Sequence, residues 1–176
     1  MEIKVQCVGM KKLMEKVNHG KNSLMDLTPF WDSVGMYMIK RTMRHFQQEQ
    51  SPDGVKWKPL SKARINQRNK RHKGGRMKIL TDTGELRRSI AYKAFKSRVV
   101  SGSVLEYAAI HQLGGAIVAT KKGTYKHDYG PGKPKGGSYS YRWNVNIPAR
   151  PYLGVTEDDK SKVLSMMKVY LKRNVG

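Results

Sequence analysis

Residues 28–50 read TPFWDSVGMYMIKRTMRHFQQEQ, and this stretch decides the fold. Threonine is a frequent helix cap and proline fits the first helical turn, so the sequence predicts a helix from Thr28, as N-cap, to about Gln50. Its apolar side chains form two stripes at helical spacing, one of Met36, Ile39, Met43 and Phe46 and one of Trp31, Val34 and Met38. Such a broad apolar face is typical of a helix central to the core, or of one shared with a neighbouring subunit.

Shorter patterns surround this helix. Polar and apolar residues alternate over residues 2–8, which predicts a strand that ends at Gly9. Apolar residues then recur at helical spacing from Met10 to Val17, which predicts a helix. Ser61 is placed to cap a short basic helix, Lys62–His72, and Asp82 or Thr83 to cap another. Residues 90–95 and 98–104 predict two strands, most simply a hairpin.

The last helix begins with a capping signal. Thr156 stands three residues before Asp159, as in a capping box, and Val163, Leu164, Met167, Tyr170 and Leu171 follow as its core stripe. The order of elements predicts an α+β fold. A small antiparallel sheet packs with a long helix in the N-terminal half and with a C-terminal helix.

Residues 114–144 differ in composition from the rest. They hold 7 of the 17 glycines, five aromatic residues and one acid. We expect a functional loop, a long hairpin or a disordered insert, and treat the segment as a flexible insert in a single domain of residues 1–176.

Charge is the most unusual property of the chain. Its 35 Lys and Arg against 13 Asp and Glu give a net charge of +22, which attracts polyanions. From Lys56 to Arg98 there are 15 basic and 2 acidic residues, a net charge of +13. We predict that this block faces DNA or an acidic partner through six residues: Arg64, Arg68, Lys70, Arg71, Lys73 and Arg76.

Signals for catalysis, metals and membranes are weak. The single cysteine, Cys7, excludes a disulfide framework, and no long apolar run predicts a membrane span or a signal peptide. No phosphate-binding loop or metal-ligand spacing occurs, and His111, in the apolar run 107–113, is expected to be a hydrogen-bonded structural histidine. We therefore expect no enzyme, no metal, no cofactor and no membrane association.

Four stretches carry a resemblance to a known family. They are SPDGVKWKPL at 51–60, ILTDTGELRRSI at 79–90, YAAIHQLGG at 107–115 and IPARPYLG at 147–154. In this order, with a helix before and after, the chain resembles the virion morphogenesis, or tail-completion, family of Mu-like phages. The basic middle and the long insert depart from that pattern.

The resemblance implies a structural role without enzymatic activity or cofactor. It implies a small α+β subunit of a homo-oligomeric ring, a hexamer by family analogy, at the head–tail junction of the virion. The subunit would assemble in the cytoplasm of the bacterial host, beside neck, connector, tail-tube or terminator proteins and with genomic DNA in the channel. A tail terminator, a basic nucleic-acid-binding module and a nuclease are the alternatives.

Apolar and aromatic side chains are the expected contacts within such an assembly. We predict that ten residues meet another subunit or partner: Met36, Ile39, Met43, Trp57, Leu60, Tyr125, Tyr129, Trp143, Arg150 and Tyr152.

Overall fold

The structure is a computed structural model that describes residues 2–5, 26–72, 78–125 and 137–174. Within these ranges the elements follow in the order β1 (Glu2–Val5), α1 (Thr28–Gln48), α2 (Lys62–His72), α3 (Glu85–Arg88), β2 (Ala91–Phe95), β3 (Arg98–Gly102), α4 (Ala108–Leu113), β4 (Gly115–Tyr125), β5 (Gly137–Ile147) and α5 (Glu157–Asn174). The α+β fold class is confirmed.

The strands form two separate antiparallel sheets. Three strands pair in the order β1-β3-β2, with Tyr92 opposite Ser101 in the predicted hairpin. Within the described residues, the strands β4 and β5 pair only with each other. Of the predicted first strand, the part beyond Val5 lies outside the described residues, as does the predicted helix from Met10 to Val17.

The long helix α1 begins and ends close to its predicted limits. Leu27 takes the cap position and makes no side-chain cap, so the prediction of Thr28 as N-cap was wrong by one residue. The carboxylate of Asp26 accepts the Thr28 backbone N–H instead, at 2.9 Å. At the other end, Glu49 adopts a left-handed backbone with φ of 54° and closes the helix after Gln48.

Helix α1 belongs to two hydrophobic cores. Its first half buries Phe30, Trp31, Val34 and Met38 against β3 and α5, in a first core that includes Leu27, Val99, Val163 and Met167. Phe46, near its end, lies in a second core with Trp57, Ile79, Leu80, Leu86, Ile90, Ala108, Tyr152 and Leu153. Ile39 and Met43 pack partly against this second core. The chain itself therefore covers most of both predicted stripes, although Met36 stays 49% exposed.

A glycine lets the small sheet approach α1 closely. A Cβ atom at Gly35 would overlap the ring of Tyr92, which lies on β2. The Tyr92 hydroxyl then donates to the Asp32 carboxylate at 2.9 Å, one turn earlier on the same helix. Gly35 thus fixes the spacing between helix and sheet.

The capping box of α5 is confirmed and has a second role. Asp159 accepts from the Thr156 backbone N–H at 3.0 Å and Thr156 Oγ1 at 2.8 Å, while its own backbone N–H donates to that hydroxyl at 3.2 Å. The same carboxylate accepts from the Tyr37 hydroxyl at 2.6 Å and from Arg41 Nε at 2.9 Å. Asp159 therefore joins α5 to α1 as well as capping α5.

Burial and nearby polar groups shift the pKa of Asp159 in opposite directions. Burial would raise the pKa of this carboxyl, but the hydrogen bonds from Tyr37 and Thr156 and the charge of Arg41 hold its pKa below the usual value. Burial and the bond to Asp159 raise the pKa of Tyr37 to about 12. The pair is therefore carboxylate and neutral phenol at pH 7.

Two details of the sequence-based prediction were wrong. Leu164 was placed in the core stripe of α5 and is 38% exposed, while Val163 and Met167 are buried. The cap position of α3 is taken by Gly84, with φ of 78°, rather than by Asp82 or Thr83. The cap at Ser61 is present, because its Oγ accepts the Arg64 backbone N–H at 3.3 Å.

Candidate interaction site

The four stretches that carry the family resemblance meet at one place in the fold. The connector 147–154 runs between the segment at 57–60 and helix α4. Trp57 Nε1 donates to the Pro151 carbonyl at 2.8 Å, and the Trp57 ring packs edge-on against Phe46. Arg150 donates from Nε to the Lys58 carbonyl at 2.9 Å and from a terminal nitrogen to the Pro59 carbonyl at 3.1 Å. These stretches therefore build the second core.

A buried glutamine holds the connector against α4. The Gln112 carbonyl oxygen accepts the backbone N–H groups of Tyr152 and Leu153, at 3.0 and 3.1 Å. Its amide nitrogen donates to the Leu153 carbonyl at 2.7 Å. The Tyr152 hydroxyl donates to the Ala108 carbonyl at 3.1 Å, at the start of α4. One side chain thus satisfies three buried backbone groups that no strand or helix pairs.

Gly114 makes the junction between α4 and the connector possible. Its φ is 73°, and a Cβ atom there would stand 2.6 Å from the Ala149 nitrogen. Beside it, the Arg150 backbone N–H donates to the His111 carbonyl at 2.8 Å. A side chain at position 114 would therefore push the connector away.

Two histidines lie in this region, His45 on α1 and His111 on α4. His45 Nδ1 lies 3.0 Å from the Tyr152 carbonyl oxygen, and burial lowers the pKa of His45. Burial, with the charges of Arg150 and Arg64, lowers the pKa of His111. The His111 ring packs edge-on to Tyr107, but its Nδ1 is buried without a hydrogen-bond partner in the described part of the chain. The hydrogen bond predicted for His111 is not made at this nitrogen.

Strands β4 and β5 form a hairpin with two unlike faces. Paired residues of an antiparallel ladder point to the same side, and successive residues alternate between sides. Ile117 pairs with Val145, Ala119 with Trp143 and Lys121 with Tyr141, which puts Ile117, Tyr141, Trp143 and Val145 in one alternating set. The other set pairs Val118 with Asn144, Thr120 with Arg142 and Lys122 with Ser140.

The apolar face of this hairpin (Ile117, Tyr141, Trp143 and Val145) is largely uncovered. Ile117, Trp143 and Tyr141 are 43%, 46% and 63% exposed. Among the described residues, no other helix or strand packs extensively on β4 or β5. An isolated two-stranded hairpin is marginally stable in water, so the hairpin needs a covering surface that the described part of the chain does not supply.

A groove of 1490 Å³ separates the base of the hairpin from the body of the protein. Its lining includes Trp143 and Val145 of the hairpin and Arg64 and Glu85 of the body. Asp82, also in the lining, lies 3.0 Å from an Arg64 terminal nitrogen and 3.6 Å from Arg68 Nε. The groove is thus lined by both aromatic and charged side chains.

The described residues show no site for a metal and no membrane span. Within the described ranges, three or more His, Cys, Asp or Glu side chains are nowhere grouped as a metal ion would require. No helix of the described segments is long and apolar enough to cross a membrane.

Comparison with known families identifies the chain. The model of the phage virion morphogenesis family matches residues 8–172 of 176. The chain belongs to this family. No curated protein and no solved structure matches it. Family membership indicates a structural role in building the phage virion, and it places the protein in the virion.

Within this family member, the residues predicted as interface separate into two groups. Tyr152, Trp57 and Arg150 are 0%, 5% and 6% exposed and belong to the second core or its border. Ile39, Met43 and Leu60 are half-buried against that core. These six residues hold the chain together in the structure. Met36 and Trp143 are the exposed members, Tyr125 ends β4, and Tyr129 lies outside the described residues.

The six residues predicted to face DNA or an acidic partner are also divided. Lys70, Arg71 and Arg64 are exposed on α2. Arg68 is 5% exposed and donates to the Lys78 carbonyl at 2.7 Å. Its guanidinium faces inward, so it holds α2 in place. Lys73 and Arg76 lie outside the described residues.

One feature of the site, the Gln112 anchor, escaped the sequence-based prediction, and another, the hairpin, was only one of three alternatives. Gln112 gave no local signal, because its partners lie about 40 residues away. The hairpin did give one, since residues 138–147 read SYSYRWNVNI and alternate strictly between polar and apolar types. Of the three alternatives kept open for residues 114–144, the hairpin is the one that forms over 115–125 and 137–147.

Proposed function

We propose that this chain is a ring subunit that completes the phage tail or joins it to the head. The family match over residues 8–172 carries the proposal, since it indicates a part in virion assembly. The ring, a hexamer by family analogy, and its neighbours at the neck, connector or tail tube belong to the proposal.

The hairpin supports an assembly role in particular. Its apolar face leaves two aromatic side chains in water, Tyr141 at 63% and Trp143 at 46% exposure. Exposed tyrosine and tryptophan are enriched at protein interfaces, where their burial contributes much of the binding energy. A neighbouring subunit in the ring, or the adjacent component of the neck, is the surface that would cover this face.

The proposal is tested by replacing the hairpin's aromatic residues. We expect the double variant Tyr141→Ser with Trp143→Ser to lose oligomers in native mass spectrometry and to fail to complete particles in a phage lacking the gene. The matched control, Val118→Ser, changes the opposite face of the same hairpin at a side chain that is 61% exposed. The control should assemble like the wild type.

Each outcome has a clear meaning. Normal particle completion by the double variant would show that the apolar face of the hairpin is not part of the interface. Complete, infectious particles from a phage that lacks the gene altogether would refute the assembly function.

The same deletion separates tail completion from tail termination. A protein that caps the tail tube would leave tubes of irregular length when absent. A protein that joins finished parts would leave heads and tails of normal dimensions that fail to associate. We expect the second result in electron micrographs of lysates.

A further inference from the structure

The exposed surface of helix α2 has an unusual composition. Its exposed side chains are Lys62, Ala63, Arg64, Asn66, Gln67, Asn69, Lys70 and Arg71, so that all except the alanine are Lys, Arg, Asn or Gln. The helix contains no acidic residue. These are side chains that bind phosphate oxygens in protein–DNA complexes.

The cations lie along the helix at spacings that suit an extended polyanion. Lys62 and Lys70 are eight residues apart on one side, which corresponds to about 12 Å along the axis. Arg71 lies about two turns after Arg64 at nearly the same angle around the helix, with the buried Arg68 between them. Lys62, Lys70 and Arg71 have no acidic partner within the described residues.

The helix is anchored, so this surface is presented in a fixed orientation. The buried Arg68 guanidinium donates to the Lys78 carbonyl at 2.7 Å and lies near the Asp82 carboxylate. Ser61 caps the first turn. At about 100° per residue, Lys70 lies nearly opposite Arg68, while Lys62 and Arg71 lie at the two edges of the exposed face, so all three cations can meet a ligand that spans this face.

The total charge indicates the kind of ligand. Duplex DNA carries one negative charge per about 1.7 Å, so the net charge of +22 equals the charge on about 37 Å of duplex. Copies of such a chain repel each other, and a bound polyanion would offset that repulsion in the proposed ring.

An acidic protein fits the α2 surface less well than DNA does. Protein interfaces centre on apolar or aromatic side chains from which water is excluded. The exposed surface of α2 offers a single alanine of that kind, Ala63. Contacts to the phosphate backbone need no such centre.

We propose that the exposed face of α2 binds the phosphate backbone of duplex DNA without reading its sequence. This binding goes beyond the proposed ring function and is carried by Lys62, Lys70 and Arg71.

The test compares two triple variants with the same loss of charge. In the first, Lys62, Lys70 and Arg71 become glutamine. In the control, the exposed α5 residues Lys162, Lys168 and Lys172 become glutamine. Fluorescence anisotropy measures binding to two unrelated duplexes of about 30 bp while NaCl is raised from about 50 to about 200 mM. Circular dichroism melting verifies that both variants fold.

We expect the wild type to bind both duplexes alike, with affinity that falls steeply as salt rises. Each phosphate contact contributes about 0.9 to the slope of log K against log salt, so the α2 variant should lose about 2.7 from that slope. The α5 control should keep the wild-type slope.

Three results would overturn the proposal. They are no binding by the wild type at low salt, an equal loss of slope in both variants, and polyglutamate competing as well as DNA at equal charge. The assay requires no assembled particle, so its failure leaves the tail-completion proposal standing. If the protein bound DNA through α2 but phage particles were completed without it, only the tail-completion proposal would be refuted.

Discussion

Replacing Gln112 with leucine should destabilise the protein strongly, although the two side chains have similar size. Gln112 is 7% exposed and satisfies the backbone N–H groups of Tyr152 and Leu153 and the Leu153 carbonyl. Leucine would leave all three groups buried without partners. Each such loss costs roughly 1–3 kcal/mol, so we expect the free energy of unfolding to fall by about 3–9 kcal/mol.

This loss is large compared with the stability of a typical domain, which is about 5–15 kcal/mol. For a chain of this size, about 1 kcal/mol corresponds to a shift of roughly 2–4 °C in Tm, so Tm should fall by at least about 6 °C. Urea unfolding followed by circular dichroism measures the free energy, and an unchanged slope with urea concentration would indicate that the unfolded state is the same.

The matched control is Gln47→Leu, which makes the same chemical change at an exposed position on α1. Its effect should stay within about 0.5 kcal/mol. If Gln112→Leu were as mild as this control, the connector would be held by packing alone, and the role given to the Gln112 hydrogen bonds would be wrong.

Three further predictions concern the two cores. The folded-state pKa of Asp159 lies below its ordinary value of 3.8, so the stabilising effect of its carboxylate should be complete above that value and lost as pH falls through the folded-state pKa. Asp159→Asn should therefore flatten the acid limb of a plot of stability against pH. An unchanged limb would contradict this. Gly35→Ala should lower the free energy of unfolding by about 1–3 kcal/mol, because the new methyl group overlaps the Tyr92 ring. In urea unfolding, adding Tyr92→Ala to this variant should recover part of that loss. If the effects of the two substitutions were purely additive, the overlap would be excluded. Trp57→Ala should lower the free energy of unfolding by about 3–5 kcal/mol. Trp57→Phe should lower it less, although it still leaves the Pro151 carbonyl without its donor. Equal melting temperatures for Trp57→Phe and the wild type would show that this hydrogen bond contributes little.

Sequence patterns of short range predicted the helices α1, α2 and α5 correctly. The apolar stripes of residues 28–50 predicted α1, and the pair Thr156 and Asp159 predicted the start of α5. These signals were sufficient because helical periodicity and capping depend on residues three or four positions apart. The alternation over 138–147 belongs to the same class, and the hairpin was one of the forms left open for that segment.

The tertiary structure gave several side chains roles other than those the sequence predicted. Arg68 is one of many cations in a basic block, and only its approach to Lys78 and Asp82 makes it a buried anchor. Trp57 and Tyr152 were expected to be partner contacts, because large aromatic residues serve interfaces and cores equally well. Their burial in the second core follows from segments about 95 residues apart coming together.

Local composition and spacing were therefore sufficient to give the type and approximate limits of α1, α2 and α5, the net charge of +22 and the family resemblance. Only the tertiary structure decided which aromatic and charged residues remain at the surface. Exposure depends on which distant segments pack together, as when Gln112 binds the connector while the apolar face of the β4–β5 hairpin is left largely uncovered.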